Sequence, residues 1–236
     1  MELGEILSDA LVYPFQNIKA LIVYLILGII LGIAVGGTVS AVMVGSMANN
    51  ALTVIGSGII GIIIALFIGF LITGYQLDIV KYGIERSNGA PGIDIVRQFI
   101  NGVKFFAVYI VYMIIPIIIS AILAVIFQHW LAGLINFFVS LIFAIALMMG
   151  QCRLAKTEDI FYAISVGEAI GDISKVGILK VVLFIVLIFV ISFVLLFVVG
   201  LITQWNSTVG GILLGILGVY LVFFNGRATG LLYSDV

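Results

Sequence analysis

The sequence predicts an all-α polytopic membrane protein: six transmembrane helices in three hairpins, with interfacial amphipathic helices on the cytoplasmic side and a threefold internal repeat of about 76 residues. Its 236 residues are 64% hydrophobic and 9% charged, with a mean hydropathy of +1.40. A water-soluble domain carries about 25% charged residues, so a soluble enzyme or binding domain is excluded. The ionisable residues are also clustered, leaving uncharged runs of 58, 48 and 46 positions at 20–77, 105–152 and 181–226. One crossing takes about 20 residues at ~1.5 Å rise. Each run is thus long enough to cross, turn and return, and 1–236 reads as a single integral membrane domain.

Residues 2–13 place Leu3, Ile6, Leu7, Ala10 and Leu11 on one helical face and Glu2, Glu5 and Asp9 on the other, closed by Tyr13-Pro14. The acids stand where a secretory signal would be basic, so the first helix is expected to be retained. In the first hairpin Gly28, Gly32 and Gly36 recur every fourth residue. Such a face allows close helix packing, within one chain or between two. Ser87-Asn88-Gly89-Ala90-Pro91-Gly92 is a turn cluster ahead of a second amphipathic segment, 92–104, where Ile93, Val96, Ile100 and Val103 oppose Asp94, Arg97, Asn101 and Lys104.

In the second hairpin Pro116 cannot donate to the carbonyl of Tyr112, which predicts a helix kink. Tyr109, Tyr112, Asn136 and, in the third hairpin, Asn225 are neutral polar positions that line a cavity or hydrogen-bond neighbouring helices. A third amphipathic segment, 160–176, sets Ile170 and Ile173 against Glu168, Asp172 and Lys175. Its acids, with Glu158-Asp159, read as solvated helix starts behind Thr157 and Ser165. Gly211 and Gly215 repeat the packing spacing in the last helix. All three amphipathic segments are expected to lie in the interface plane.

The repeat rests on spacing. Gly74, Gly150 and Gly226 are 76 residues apart, as are Lys104 and Lys180, and Gln128 and Gln204. The first copy is longer by nine residues, placed near Gly45–Ser57. Because each hairpin returns to its starting side, all ten Lys and Arg residues share one face. The positive-inside rule then expects a cell-membrane protein with both termini cytoplasmic. The opposite turns hold Asn49-Asn50, Gln128-His129-Trp130 and Gln204-Trp205-Asn206, with both tryptophans at the outer interface. Asn206-Ser207-Thr208 matches a glycosylation acceptor, read as a chance match.

Candidate chemistry is thin. The one cysteine, Cys152, and the one histidine, His129, fall on opposite sides, so no catalytic, cofactor-binding or metal-ligating set is expected. Cys152 reads as a free cytoplasmic thiol at a helix end. No charge lies within the spans, which argues against proton relays and ion coupling. The near-cancelling charges offer neither a polybasic lipid patch nor a nucleic-acid surface. The expected function is therefore a non-enzymatic scaffold or accessory subunit. Its partners would be the lipid bilayer and either a second copy or another membrane protein. The alternative is a channel or uncoupled carrier for a small neutral or apolar solute, with a lipid-modifying enzyme third.

Five motifs carry a resemblance: Tyr13-Pro14, the helix end Gly74-Tyr75, Pro91-Gly92-Ile93-Asp94, Gly102-Val103-Lys104, and Tyr112 followed four residues on by Pro116. In these the chain resembles an uncharacterised prokaryotic membrane family, the domain of unknown function 4013, frequent in archaea. Where the family pattern has Leu-Pro followed by an acidic residue, this chain has Ala90-Pro91-Gly92. The resemblance implies a multi-pass membrane protein and supplies no catalytic residues.

Overall fold

A computed structural model describes residues 1–126, 130–205 and 207–236, and the described chain is helical with no strand. Gln128, His129 and Asn206, and with them two turns and the glycosylation match, lie outside the described residues, as do the surroundings of Gly211. Among the described residues nine helices follow in order: α1 (Leu3–Gln16), α2 (Ile18–Met47), α3 (Ala51–Ile84), α4 (Ile95–Ile126), α5 (Trp130–Thr157), α6 (Ile160–Ala163), α7 (Val166–Val176), α8 (Ile178–Trp205) and α9 (Ser207–Tyr233). Six of them, α2, α3, α4, α5, α8 and α9, are long and apolar enough to cross a membrane.

Local chemistry sets the boundaries. The Glu5 carboxylate accepts from the Glu2 backbone N–H at 3.0 Å and holds the start of α1. Pro14 lies inside α1, which runs on to Gln16 and breaks only at Asn17, so Tyr13-Pro14 does not close the segment as the sequence suggests. A proline this near a helix end forfeits only one intrahelical bond. α2 and α3, of 30 and 34 residues, meet at a turn where Asn49 takes φ 50° and Asn50 accepts from Thr53 N–H at 3.2 Å. Asparagine tolerates that left-handed backbone. Only residues 48–50 separate the two helices.

α3 and α9 form the centre: each packs on the other, α2 lies against both, and α4 and α5 lie against α3. α8 rests on α9 and α7. The buried core is concentrated where the ends of α3, α5 and α9 meet α1 and α7. Ion pairs between distant segments gather at that same end, the charged end. Trp130 and Trp205, at the other end, are exposed.

The amphipathic segments are placed differently from one another. The apolar face of α1 covers protein: Ile6 and Ala10 are fully buried against the core, and α1 packs on α9. The second segment is no separate helix, because α4 runs unbroken from Ile95 into its spanning part. There Gln98 and Gly102 are buried while Ile93, Val96, Ile100 and Val103 are exposed. The third divides into α6 and α7, and Asp172 lies on its buried side with Ala169 rather than on a solvated one. Periodicity reveals which residues share a face, and the neighbours decide which way that face turns.

Candidate functional site

Three ionic latches, each with at least one buried partner, dominate the charged end. Each joins the end of a spanning helix to an amphipathic segment. At the end of α3, Asp78 accepts from Arg97 at 3.0 Å and from the Asn101 amide at 3.1 Å, both on α4. Beside it, Tyr24 stacks on Tyr75 at 4.0 Å between ring centroids, and its hydroxyl donates to the buried Gln98.

At the end of α5, Arg153 is 2% exposed. It donates to Asp172 at 2.9 Å, to Glu168 and to the Tyr162 carbonyl at 3.1 Å, and its guanidinium covers the Tyr162 ring at 3.8 Å. Asp172 is fully enclosed and also accepts from Tyr233 and Lys175, each at 2.6 Å. Burial alone would push the Asp172 carboxyl up; the bonds from Lys175, Tyr233 and Arg153 together outweigh it and hold the group below the usual aspartate value. The sequence reading of Asp172 as a solvated helix-start acid is thus overturned, because its neighbours supply in place of water every donor it needs.

At the end of α9, Arg227 is 1% exposed and donates to Asp9 on α1 at 2.6 Å, to the Tyr82 carbonyl in the last turn of α3 at 3.3 Å, and, in the segment after α3, to the Ser87 carbonyl and to Asn88 at 3.2 Å. Tyr13 lies under the guanidinium at 4.8 Å, and burial raises its hydroxyl to about 12. Residues 85–94 have no regular structure, yet their carbonyls are held. Gly89 accepts from Tyr13 at 3.1 Å, Pro91 from Tyr75 at 3.3 Å, and Gly92 from Arg97 at 2.8 Å and Gln98 at 3.2 Å. Glu158, at φ 60°, pairs with Lys81 at 2.6 Å, and that hydrogen bond holds its carboxyl below the ordinary range.

The remaining sequence-selected residues scatter. A Cβ on Gly28 would meet Val219 of α9 at 2.7 Å, so that glycine does sit at a close crossing. A Cβ added at Gly32, Gly36 or Gly215 would meet nothing within 4 Å among the described residues, although the Gly215 carbonyl lies 3.9 Å from the Cβ position of Gly28. Gly28, Gly32 and Gly215 line a pocket of about 390 Å³ between α2, α3 and α9. Tyr109 lines a separate pocket of about 220 Å³ between α3 and α4.

Tyr112 is buried and donates to the Ala163 carbonyl at 2.9 Å. Asn136 accepts from Ser120 across α4 and α5. Among the described residues the buried side-chain oxygen of Asn225 has no hydrogen-bond partner, and Pro116 is buried inside a continuous α4. Cys152 is fully buried in the core, not a free surface thiol. Among the described residues no three His, Cys, Asp or Glu side chains converge to hold a metal.

The closest approaches fall at glycines that the packing stripes did not single out. A Cβ on Gly74 would collide with the Gln98 carbonyl, and one on Gly102 with the Phe70 carbonyl, so α3 and α4 cross through a reciprocal pair of glycines. Both belong to the motifs quoted for the family resemblance. The two buried arginines were also missed, and their one signal in the sequence is position: each follows a glycine that ends an apolar run.

A family model described as a protein of unknown function (DUF4013) matches residues 58–204. That stretch contains the Gly74–Gly102 crossing and the latches at Asp78 and Arg153. No curated protein and no solved structure matches the chain.

Proposed function

We propose a structural, non-enzymatic role for this multi-pass membrane protein, which belongs to the DUF4013 family of proteins of unknown function: a scaffold or accessory subunit that associates with a second copy or another membrane protein. The observation that supports it is how the reactive groups are used. Among the described residues, Arg153 with Asp172, Arg227 with Asp9 and Asp78 with Arg97 are committed to ion pairs, and both buried arginines also to backbone carbonyls. Purification in mild detergent with cross-linking should recover a self-associated or partnered species. A strictly monodisperse monomer with no cross-linked neighbour overturns the reading.

The charged end faces the cytoplasm of the cell membrane under the same proposal, by the excess of Lys and Arg there. Buried Cys152 cannot report on it, so the test uses single cysteines in a Cys152→Ala background. Asn49→Cys should react with an impermeant maleimide in intact cells, and Glu85→Cys only after permeabilisation. The opposite pattern reverses the orientation.

Asn225 favours a second reading, a channel or uncoupled carrier for a small neutral or apolar solute. Gly218, Val222 and Asn225 share one face of α9, and the first two line the pocket between α2, α3 and α9. Reconstituted vesicles should then leak a small neutral solute faster than empty ones. Equal rates remove this reading.

A further inference from the structure

The surface at the level of the latches exposes large apolar side chains between its charged ones. Gln98 is buried against Tyr24 and the Gly92 carbonyl, and Asn101 and the half-exposed Arg97 reach back to Asp78, while their neighbour Val96 is 70% exposed. Large apolar side chains are exposed around the rest of the charged end as well, beside the exposed Glu168 and Lys175. Phe15 and Ile18 are exposed where α1 meets α2, Phe161 is 81% exposed beside the Tyr162 that Arg153 covers, and Ile178 and Leu179 are exposed where α7 gives way to α8. Among the described residues, each of these six lies within about three helical turns of a latch residue along the chain.

This rim is continuous with the lipid-facing surface of the spanning helices. Along α4, beyond the half-exposed Arg97, the exposed positions run from Ile100 through Val103 and Phe106 to Ile110 without a charge. Large apolar side chains facing outward with polar ones turned inward is the distribution that a hydrocarbon surround selects, because polar groups there must be satisfied inside the protein. Length agrees. The 32 residues of α4 span roughly 48 Å at ~1.5 Å per residue, against about 40–45 Å for a bilayer with its headgroup layers.

We infer that the rim formed by Phe15, Ile18, Val96, Phe161, Ile178 and Leu179 is a lipid-binding surface, embedded at the junction of acyl chains and headgroups of one leaflet, so that the three latches lie below the lipid surface. This rests on the multi-pass fold and is independent of the scaffold role. It also gives the buried ion pairs a physical reason: at that depth a guanidinium without internal partners has little water to turn to.

The test places single tryptophans at the rim in a Trp130→Phe, Trp205→Phe background: Val96→Trp, Phe161→Trp or Leu179→Trp, with Glu85→Trp as the water-facing control. Each protein is reconstituted in phosphatidylcholine vesicles. Retained burial of Cys152, read as lack of maleimide reaction, certifies the fold. All three rim tryptophans should lose most of their emission to lipids brominated near the carboxyl end of the acyl chain and resist aqueous iodide, with the control behaving oppositely. Quenching by iodide but not by bromolipid at any of the three overturns the inference. It would mark that part of the rim as a water-facing surface for a protein partner.

Discussion

Arg153 and Arg227 are buried, and in each every guanidinium nitrogen is engaged. Removing one partner from a buried ion pair leaves the other charge stranded, which destabilises by about 3–5 kcal/mol, whereas replacing both with apolar groups is often neutral. Asp172→Asn should therefore lower the unfolding temperature sharply and speed the reaction of Cys152 with a thiol-reactive dye, because the core that hides this thiol includes Ala169 of α7. Arg153→Met combined with Asp172→Leu should be milder than either change alone, and a double variant as unstable as the worse single one would refute the account. The depressed carboxyl of Asp172 also fixes a pH dependence. Its stabilisation is fully present above the usual aspartate value of about 3.9 and is lost only as pH falls through the lower folded value. Unfolding temperature should hold through mildly acid pH and drop below about pH 4, and Asp172→Asn should abolish that portion of the drop.

At the scale of helices, glycine content alone does not predict packing. Gly36 repeats the spacing of Gly28, yet open space surrounds it, while Gly74 and Gly102 receive the backbone of the neighbouring helix. Gly36→Ala should hold or raise stability by roughly 0.5–1 kcal/mol through helix propensity. Gly102→Val should cost about 1–3 kcal/mol or more, because the obstruction is the Phe70 carbonyl rather than a movable side chain. Thermal unfolding in detergent ranks the two variants, and equal effects would disprove the crossing. The contrast marks what was legible in the sequence. Six spanning helices followed from three uncharged runs, since the need to avoid charge in lipid is written residue by residue. The fates of Gly36, Asp172 and Cys152 were not legible, because they depend on which helices meet. Direction was hidden too: the second amphipathic segment leaves its apolar face exposed and α1 turns its apolar face inward, patterns that look alike in one dimension.

Across the whole molecule the latches follow a cyclic order. The end of α3 holds the segment that opens α4, the end of α5 holds α7, and the end of α9 returns to hold α1. A 76-residue repeat in three copies would produce this order, with the polarity of the Asp78 pair reversed relative to the other two. The latches are not equally connected. Arg227 grips Ser87 and Asn88, while Arg97, the partner of Asp78, grips Gly92 of the same irregular segment. The Arg153 latch shares no residue with either. Double-mutant cycles should register this arrangement, since groups sharing a network couple by about 0.5–3 kcal/mol and separate ones add within about 0.5 kcal/mol. Arg227→Gln with Asp78→Asn should be non-additive through residues 85–92, and Arg227→Gln with Asp172→Asn should be additive. If the second pair couples as strongly as the first, the charged end unfolds as one closed ring and not as two joined latches beside an independent third. Hydrogen exchange then separates the two outcomes directly: in Arg227→Gln, exchange should rise in α1 and residues 85–94 while α7 keeps its protection.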